Sequence, residues 1–138
     1  SNAGGIARTN LAAFVAATGG LRTGWNPGAS SNVNAVAWHA GIVYAGGLFG
    51  FAGGQVRNYA AAFDTATGAA TAWNPACSAG VNTIVCADSV VYLGGTFTQV
   101  AATTRNRLAA IETTTGVLLP WDPNASGSVA RLFLDGGR

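Results

Sequence analysis

The tripeptide Trp25-Asn26-Pro27 returns as Trp73-Asn74-Pro75 and again as Trp121-Asp122-Pro123, 48 residues later each time. Val33, Val81 and Val129 keep the same step, as do Tyr44 with Tyr92, Gly46-Gly47 with Gly94-Gly95, and Phe49 with Phe97. A matching segment precedes each Trp: NLAAFVAATG, NYAAAFDTATG and NRLAAIETTTG. The first copy carries one extra residue in the turn before its Trp. A repeat of this length is one supersecondary unit that cannot bury its apolar residues alone, so neighbouring units must stack.

Within a period the residues read as four short strands. In the first complete copy these are residues 33–38, 42–45, 58–64 and 69–73, with Gly-rich residues 46–56 as a loop. The next copy repeats them at 81–86, 90–93, 107–112 and 117–121. Each is about five or six residues, the usual strand length, and Gly, Asp, Asn or Thr stands at each tight reversal. Along residues 81–86, strict alternation puts Val81, Thr83 and Val85 on one face and Ile84 and Cys86 on the other. A strand apolar on both faces expects cover on both sides.

The expected fold is therefore all-β: a β-propeller of four-stranded antiparallel blades, in preference to a solenoid. Residues 1–3 read as the remnant of an expression tag, and residues 4–138 as one segment. Residues 4–27 supply the two outer strands of one blade, and 33–75 and 81–123 are full blades. Residues 128–138 bring the inner strand of the next, and Asp135-Gly136 with Gly137-Arg138 reads as a turn toward a further strand. Fewer than three blades make an incomplete ring, since propellers typically have about four to eight. Its expected partners are the remaining blades of a longer protein, with assembly from copies of the same chain as the alternative.

Composition removes several function classes. Only 9% of residues are charged, the net charge is +2, and all seven basic residues are Arg. They form no basic stripe for nucleic acid, and no apolar run approaches the roughly 20 residues of a membrane-spanning helix.

The motifs carry little chemistry. Cys77 and Cys86 lack the CxxC spacing of a metal or redox site. Their counterparts are Ala29 and Trp38, then Ala125 and Leu134, so they read as small packing residues. His39 is the single histidine, and no carboxylate cluster accompanies it, so neither a metal site nor a cofactor is expected. The acidic residues form no acid/base pair, and no catalytic residue is assigned. Trp25, Trp73 and Trp121 recur at one place and read as packing between units. Gly46, Gly47, Gly94 and Gly95 read as structural, as do Arg8, Arg57 and Arg105, whose expected role is bonding to loop carbonyls or a salt bridge to a neighbouring blade. Ligand contacts belong on loops over a rigid scaffold and where the copies diverge. Trp38, His39 and Phe51 are unique to one copy and are the ligand-binding candidates.

The stretches IVYAGGLF and VVYLGGTF, each followed by an apolar strand, a Thr-Gly turn and a Trp, resemble kelch-type blades. The whole of residues 4–138 is similar to the delta-60-type repeats of bacterial secreted or surface propellers, departing from kelch in spacing and in lacking a Tyr before the Trp. The resemblance implies that residues 33–38 are innermost and 69–73 outermost. It also implies an extracellular or cell-surface location, where a disulfide between Cys77 and Cys86 is the alternative to two free thiols. The function it implies is a non-catalytic binding or scaffolding module for protein or glycan. The alternative is a fragment of a kelch-like oxidase or glycan-active enzyme whose catalytic residues lie in other blades.

Overall fold

The computed structural model describes residues 2–136; Ser1, Gly137 and Arg138 lie outside the described residues. The strands are β1 (Asn2–Ala3), β2 (Ile6–Ala7), β3 (Val33–His39), β4 (Ile42–Gly47), β5 (Phe51–Ala52), β6 (Gln55–Val56), β7 (Ala60–Asp64), β8 (Val81–Ala87), β9 (Val90–Gly95), β10 (Gln99–Val100), β11 (Thr103–Thr104) and β12 (Leu108–Glu112). Among the described residues there is no helix. The strands form two three-stranded antiparallel sheets, ordered β3-β4-β7 and β8-β9-β12, and three two-stranded hairpins, β1-β2, β5-β6 and β10-β11. Asn2 and Ala3, at the position of the expected tag remnant, pair with Ala7 and Ile6 in the first hairpin.

The fourth strand of each unit is shorter than its sequence suggests. Only one bridge forms per copy: Phe14 with Leu21, Phe63 with Ala70, and Ile111 with Leu118. In the second copy Asp64 N bonds Ala69 O and Thr71 N bonds Ala62 O, both at 2.9 Å. Pairing then stops, because the Trp73 amide turns onto the Thr71 hydroxyl at 3.3 Å and Pro75 has no N–H to offer. The bridges each span seven residues, which places the extra residue of the first copy after Leu21, in the turn where Trp25 N bonds Arg22 O.

The alternation along β8 also differs from strict period two. The register slips between Val81 and Thr83, where Val81 faces Gly95 and Thr83 faces Gly94. This bulge moves Val81 to the side of Ile84: both contact the space above Gly46 in the preceding sheet. Thr83 faces the other way, so Val81 and Thr83 do not share a face. The same slip occurs in β3 between Val33 and Ala35.

The core lies between the sheets. One buried cluster joins Tyr44, Ala60, Ala62 and Trp73 to Val81, Ile84, Val91, Leu93 and Ile111 of the following sheet. A second joins Trp25 and Ala29 to Ala45, Ala61 and Phe63. Strand β7 thus sends Ala60 and Ala62 into one cluster and Ala61 and Phe63 into the other. Small residues suit this position because both faces are covered at close range. The glycine pairs serve the same approach. A Cβ on Gly46 would stand 2.5 Å from Val81 Cγ1 of the next sheet, and one on Gly47 would collide with Asn32 O of its own.

Candidate functional site

The recurrent polar residues build the scaffold on which any site rests. The indole Nε1 of Trp25 donates to Asp64 O, and that of Trp73 to Glu112 O, each at 3.1 Å. Trp25 and Trp73 therefore each tie one unit to the third strand of the next. Tyr44 follows the same pattern: its ring meets Trp73 edge-on at 5.1 Å and its hydroxyl donates to Thr113 O at 3.0 Å. Asn34 and Asn82, seated at the two bulges, donate from Nδ2 to Val81 O and Val129 O, both at 3.0 Å. The asparagine and tyrosine staples escaped sequence reading. Their signal was present in the Val-Asn pairs at 33–34 and 81–82 and in the Tyr step.

Arg8, Arg57 and Arg105 bond carbonyls of their own units. Each Nη1 donates to the preceding carbonyl, of Ala7, Val56 or Thr104. Each Nη2 reaches the outer segment, at Thr23 O (3.0 Å), Thr71 O (2.8 Å) or Leu119 O (3.1 Å). Arg105 also lies 3.6 Å from Asp122, so its ion pair stays in its own unit. The geometry has a plain cause: the outer segment turns away after one bridge, and its free carbonyls need donors.

The two cysteines are free thiols, so the disulfide alternative does not form. Cys77 bridges Val100 on the crossing before β8, while Cys86 lies near the far end of that strand. Five residues of strand from Val81 to Cys86 already span roughly 16 Å, far beyond disulfide reach. Burial pushes the Cys77 thiol up to about 12 and the Cys86 thiol up to about 11. Neither is a nucleophile at neutral pH.

The three ligand candidates do not converge. Phe51 sits beside the start of β3, where Ser30 N bonds its carbonyl at 2.9 Å. Its ring is half exposed and lines a shallow hollow of about 250 Å³ with Thr9, Pro27 and Ser30. Trp38 and His39 lie at the opposite end of β3, roughly 20 Å away along the strand. Trp38 is 65% exposed. Its counterpart Cys86 is half covered, packing against the cluster that includes Tyr44 of the preceding sheet. The exposure of Trp38 follows from its place on the uncovered side of β3.

His39 is different. It lines the mouth of a cavity of about 420 Å³ between the two sheets, with Tyr44, Thr71, Ser89, Thr113 and Thr114. The wall carries five hydroxyl side chains and one imidazole, and no carboxylate. The Tyr44 phenol is raised above its usual pKa, first by burial and then by Cys86 and Glu112 nearby. It therefore stays a protonated donor to Thr113 O and is no base. Glu112 is held by its own turn: Thr114 N, Thr115 N and the Thr115 hydroxyl all donate to its Oε2. Among the described residues no three His, Cys, Asp or Glu side chains gather as a metal site.

No family model, curated protein or solved structure matches the chain. What the geometry offers is a cleft lined by hydroxyls and one imidazole, on a scaffold whose inter-unit bonds repeat.

Proposed function

We infer that this chain is a segment of a non-catalytic, propeller-type binding module, and that its ligand is a neutral glycan held in the cleft at His39. The observation that carries this is the lining of the cleft. Hydroxyl and imidazole groups can donate and accept toward sugar hydroxyls. The propeller reading is supported by stacked, equivalent sheets joined by the same Trp and Asn bonds one repeat apart. A secreted or surface setting in bacteria rests on the repeat resemblance.

The test is a titration of the isotopically labelled protein with a panel of neutral oligosaccharides, followed by amide shifts. Saturable shifts at His39, Ser89, Thr113 and Thr114, lost in His39→Ala, support the reading. An absence of shifts across the panel, or shifts that survive His39→Ala unchanged, would remove it. Cleavage of an oligosaccharide in the same mixtures would move the assignment to a glycan-active enzyme, and capture of a protein at this cleft would replace glycan by protein.

A further inference from the structure

Residues 129–134 stand where the repeat puts the innermost strand of a following unit, yet they pair with no strand among the described residues. They are nevertheless held in place. Val129 N donates to Gly95 O at 3.1 Å, Asn82 Nδ2 donates to Val129 O at 3.0 Å, and Leu132 N donates to Thr83 Oγ1 at 3.1 Å. Val129 covers Gly94 as Val81 covers Gly46. Gly136 has a φ of 56°, the left-handed conformation found one and two repeats earlier at Asp88 (51°) and Ala40 (47°), where β8 and β3 turn back. Half a hairpin is already built.

In both finished units the other half is an apolar-Val-Tyr-x-Gly-Gly strand, Ile42–Gly47 or Val90–Gly95. Its second and fourth residues turn back onto the preceding unit. Val91 and Leu93 are buried with Tyr44 and Trp73, and Val43 and Ala45 pack with Trp25. At residues 129–134 the corresponding space is an open apolar pocket of about 170 Å³ lined by Val85, Tyr92, Trp121, Leu132, Phe133 and Leu134. Trp121 is 43% exposed there and Phe133 is 81% exposed.

We propose that this edge is an acceptor for one extended segment, the second strand of a further repeat unit with the Val-Val-Tyr-Leu-Gly-Gly pattern. Its second and fourth side chains fill the pocket against Tyr92 and Trp121. The register of β8 with β9 then places its Tyr opposite Phe133 and its two glycines opposite Arg131 and Val129. Main-chain bonds supply the affinity and the alternate side chains the specificity, as in strand addition generally. A second copy cannot donate this strand from its folded state, because β4 and β9 are each paired on both edges. The proposal concerns the edge of the array rather than the His39 cleft, so failure of glycan binding leaves it standing.

The test lengthens the chain after Arg138 by Val-Tyr-Leu-Gly-Gly, which sets Arg138 at the position of Val90 and the added Val and Leu in register. A control chain carries one Ser before the same five residues, which turns every side chain to the wrong face. Amide hydrogen exchange of residues 130–134 is compared in the original, lengthened and control chains. Exchange slowed by about tenfold or more in the lengthened chain alone is the expected result. Unchanged exchange in the lengthened chain, or equal slowing in the control, would overturn the proposal.

Discussion

Trp73 donates its indole N–H to the carbonyl oxygen of Glu112, 39 residues further along, and Trp25 makes the same bond to Asp64 over the same separation. The acceptor belongs in each case to the end of the third strand of the next unit. The bond therefore fixes both the spacing and the rotation of successive sheets. Because the ring is buried at 2% exposure, Trp73→Ala should cost about 3–5 kcal/mol. Trp73→Phe should cost about 1–2 kcal/mol, since Glu112 O keeps its bond from Gly116 N. Trp121→Ala, at an open position, should cost about 1 kcal/mol for its edge-on contact with Tyr92. Urea unfolding of the three variants checks the order; equal losses at 73 and 121 would deny the inter-unit role.

The glycine pairs set how closely the sheets approach. A Cβ on Gly94 would lie 2.7 Å from Val129 Cγ1 and 2.8 Å from Thr83 Cγ2. Gly94→Ala should therefore destabilise by about 1–3 kcal/mol through overpacking. Gly50, where an added Cβ meets nothing closer than 4.0 Å, should tolerate Ala within about 0.5 kcal/mol. Denaturant midpoints of the two variants make the comparison.

The turn of the β10-β11 hairpin holds Ala101 and Ala102 at φ of 49° and 60°, where the β5-β6 turn has Gly53 and Gly54 at 60° and 73°. Both positions of this two-residue turn are left-handed, which glycine adopts at lower cost than alanine. Ala102→Gly should raise stability by up to about 1 kcal/mol. Calorimetry should show a rise in Tm of a few degrees; a fall would show that the alanines make compensating contacts.

Hydrogen bonds from Thr115 and Thr114 hold the Glu112 carboxyl down at about 2, below its ordinary 4.5. A folded-state value below the unfolded one stabilises the fold above pH 4.5, and the contribution is lost as pH falls toward 2. Glu112→Gln should flatten the pH dependence of the urea midpoint across that window. An unaltered slope would assign the acid sensitivity elsewhere, with Asp64, also lowered by its turn, as the next residue to change.

Burial keeps both thiols protonated near neutral pH. With a thiol reagent at pH 8, Cys86 should react slowly, and Cys77, which is buried, only on unfolding. Denaturant should then expose two titratable thiols. A count of zero under non-reducing denaturing conditions would restore the disulfide.

Much of the fold was legible in the repeat. The places of the first three strands of each full unit follow from the repeat, whereas the β5-β6 hairpin stands inside residues 46–56, which read as a loop because two-residue strands around Gly53-Gly54 leave no alternation to read. The bulge at Asn82 was not legible, because a one-residue slip leaves the pattern of residue types intact while turning Val81 to the opposite face. The short fourth strand was hidden for a similar reason: the captured Trp73 amide is a local hydrogen bond that no periodicity reports. At the candidate site, divergence from the repeat picked out His39 without its neighbours. Trp38 and Phe51 diverge equally, yet neither lines the His39 cleft.

The sequence by itself determined that this protein is a tandem all-β chain, that its Trp, Gly and Arg steps are equivalent from copy to copy, and that its cysteines stand where apolar residues are accepted. Those properties are encoded in the order and spacing of residue types. Only the tertiary structure decided which unit Trp25 and Trp73 bond, which face Val81 takes, that the two thiols stay apart, and that His39 opens onto hydroxyls from a sheet about 50–75 residues later. Such relationships depend on how one sheet is placed against the next, and that placement is set by close contacts across glycine and by bonds to backbone carbonyls, which every residue type carries alike.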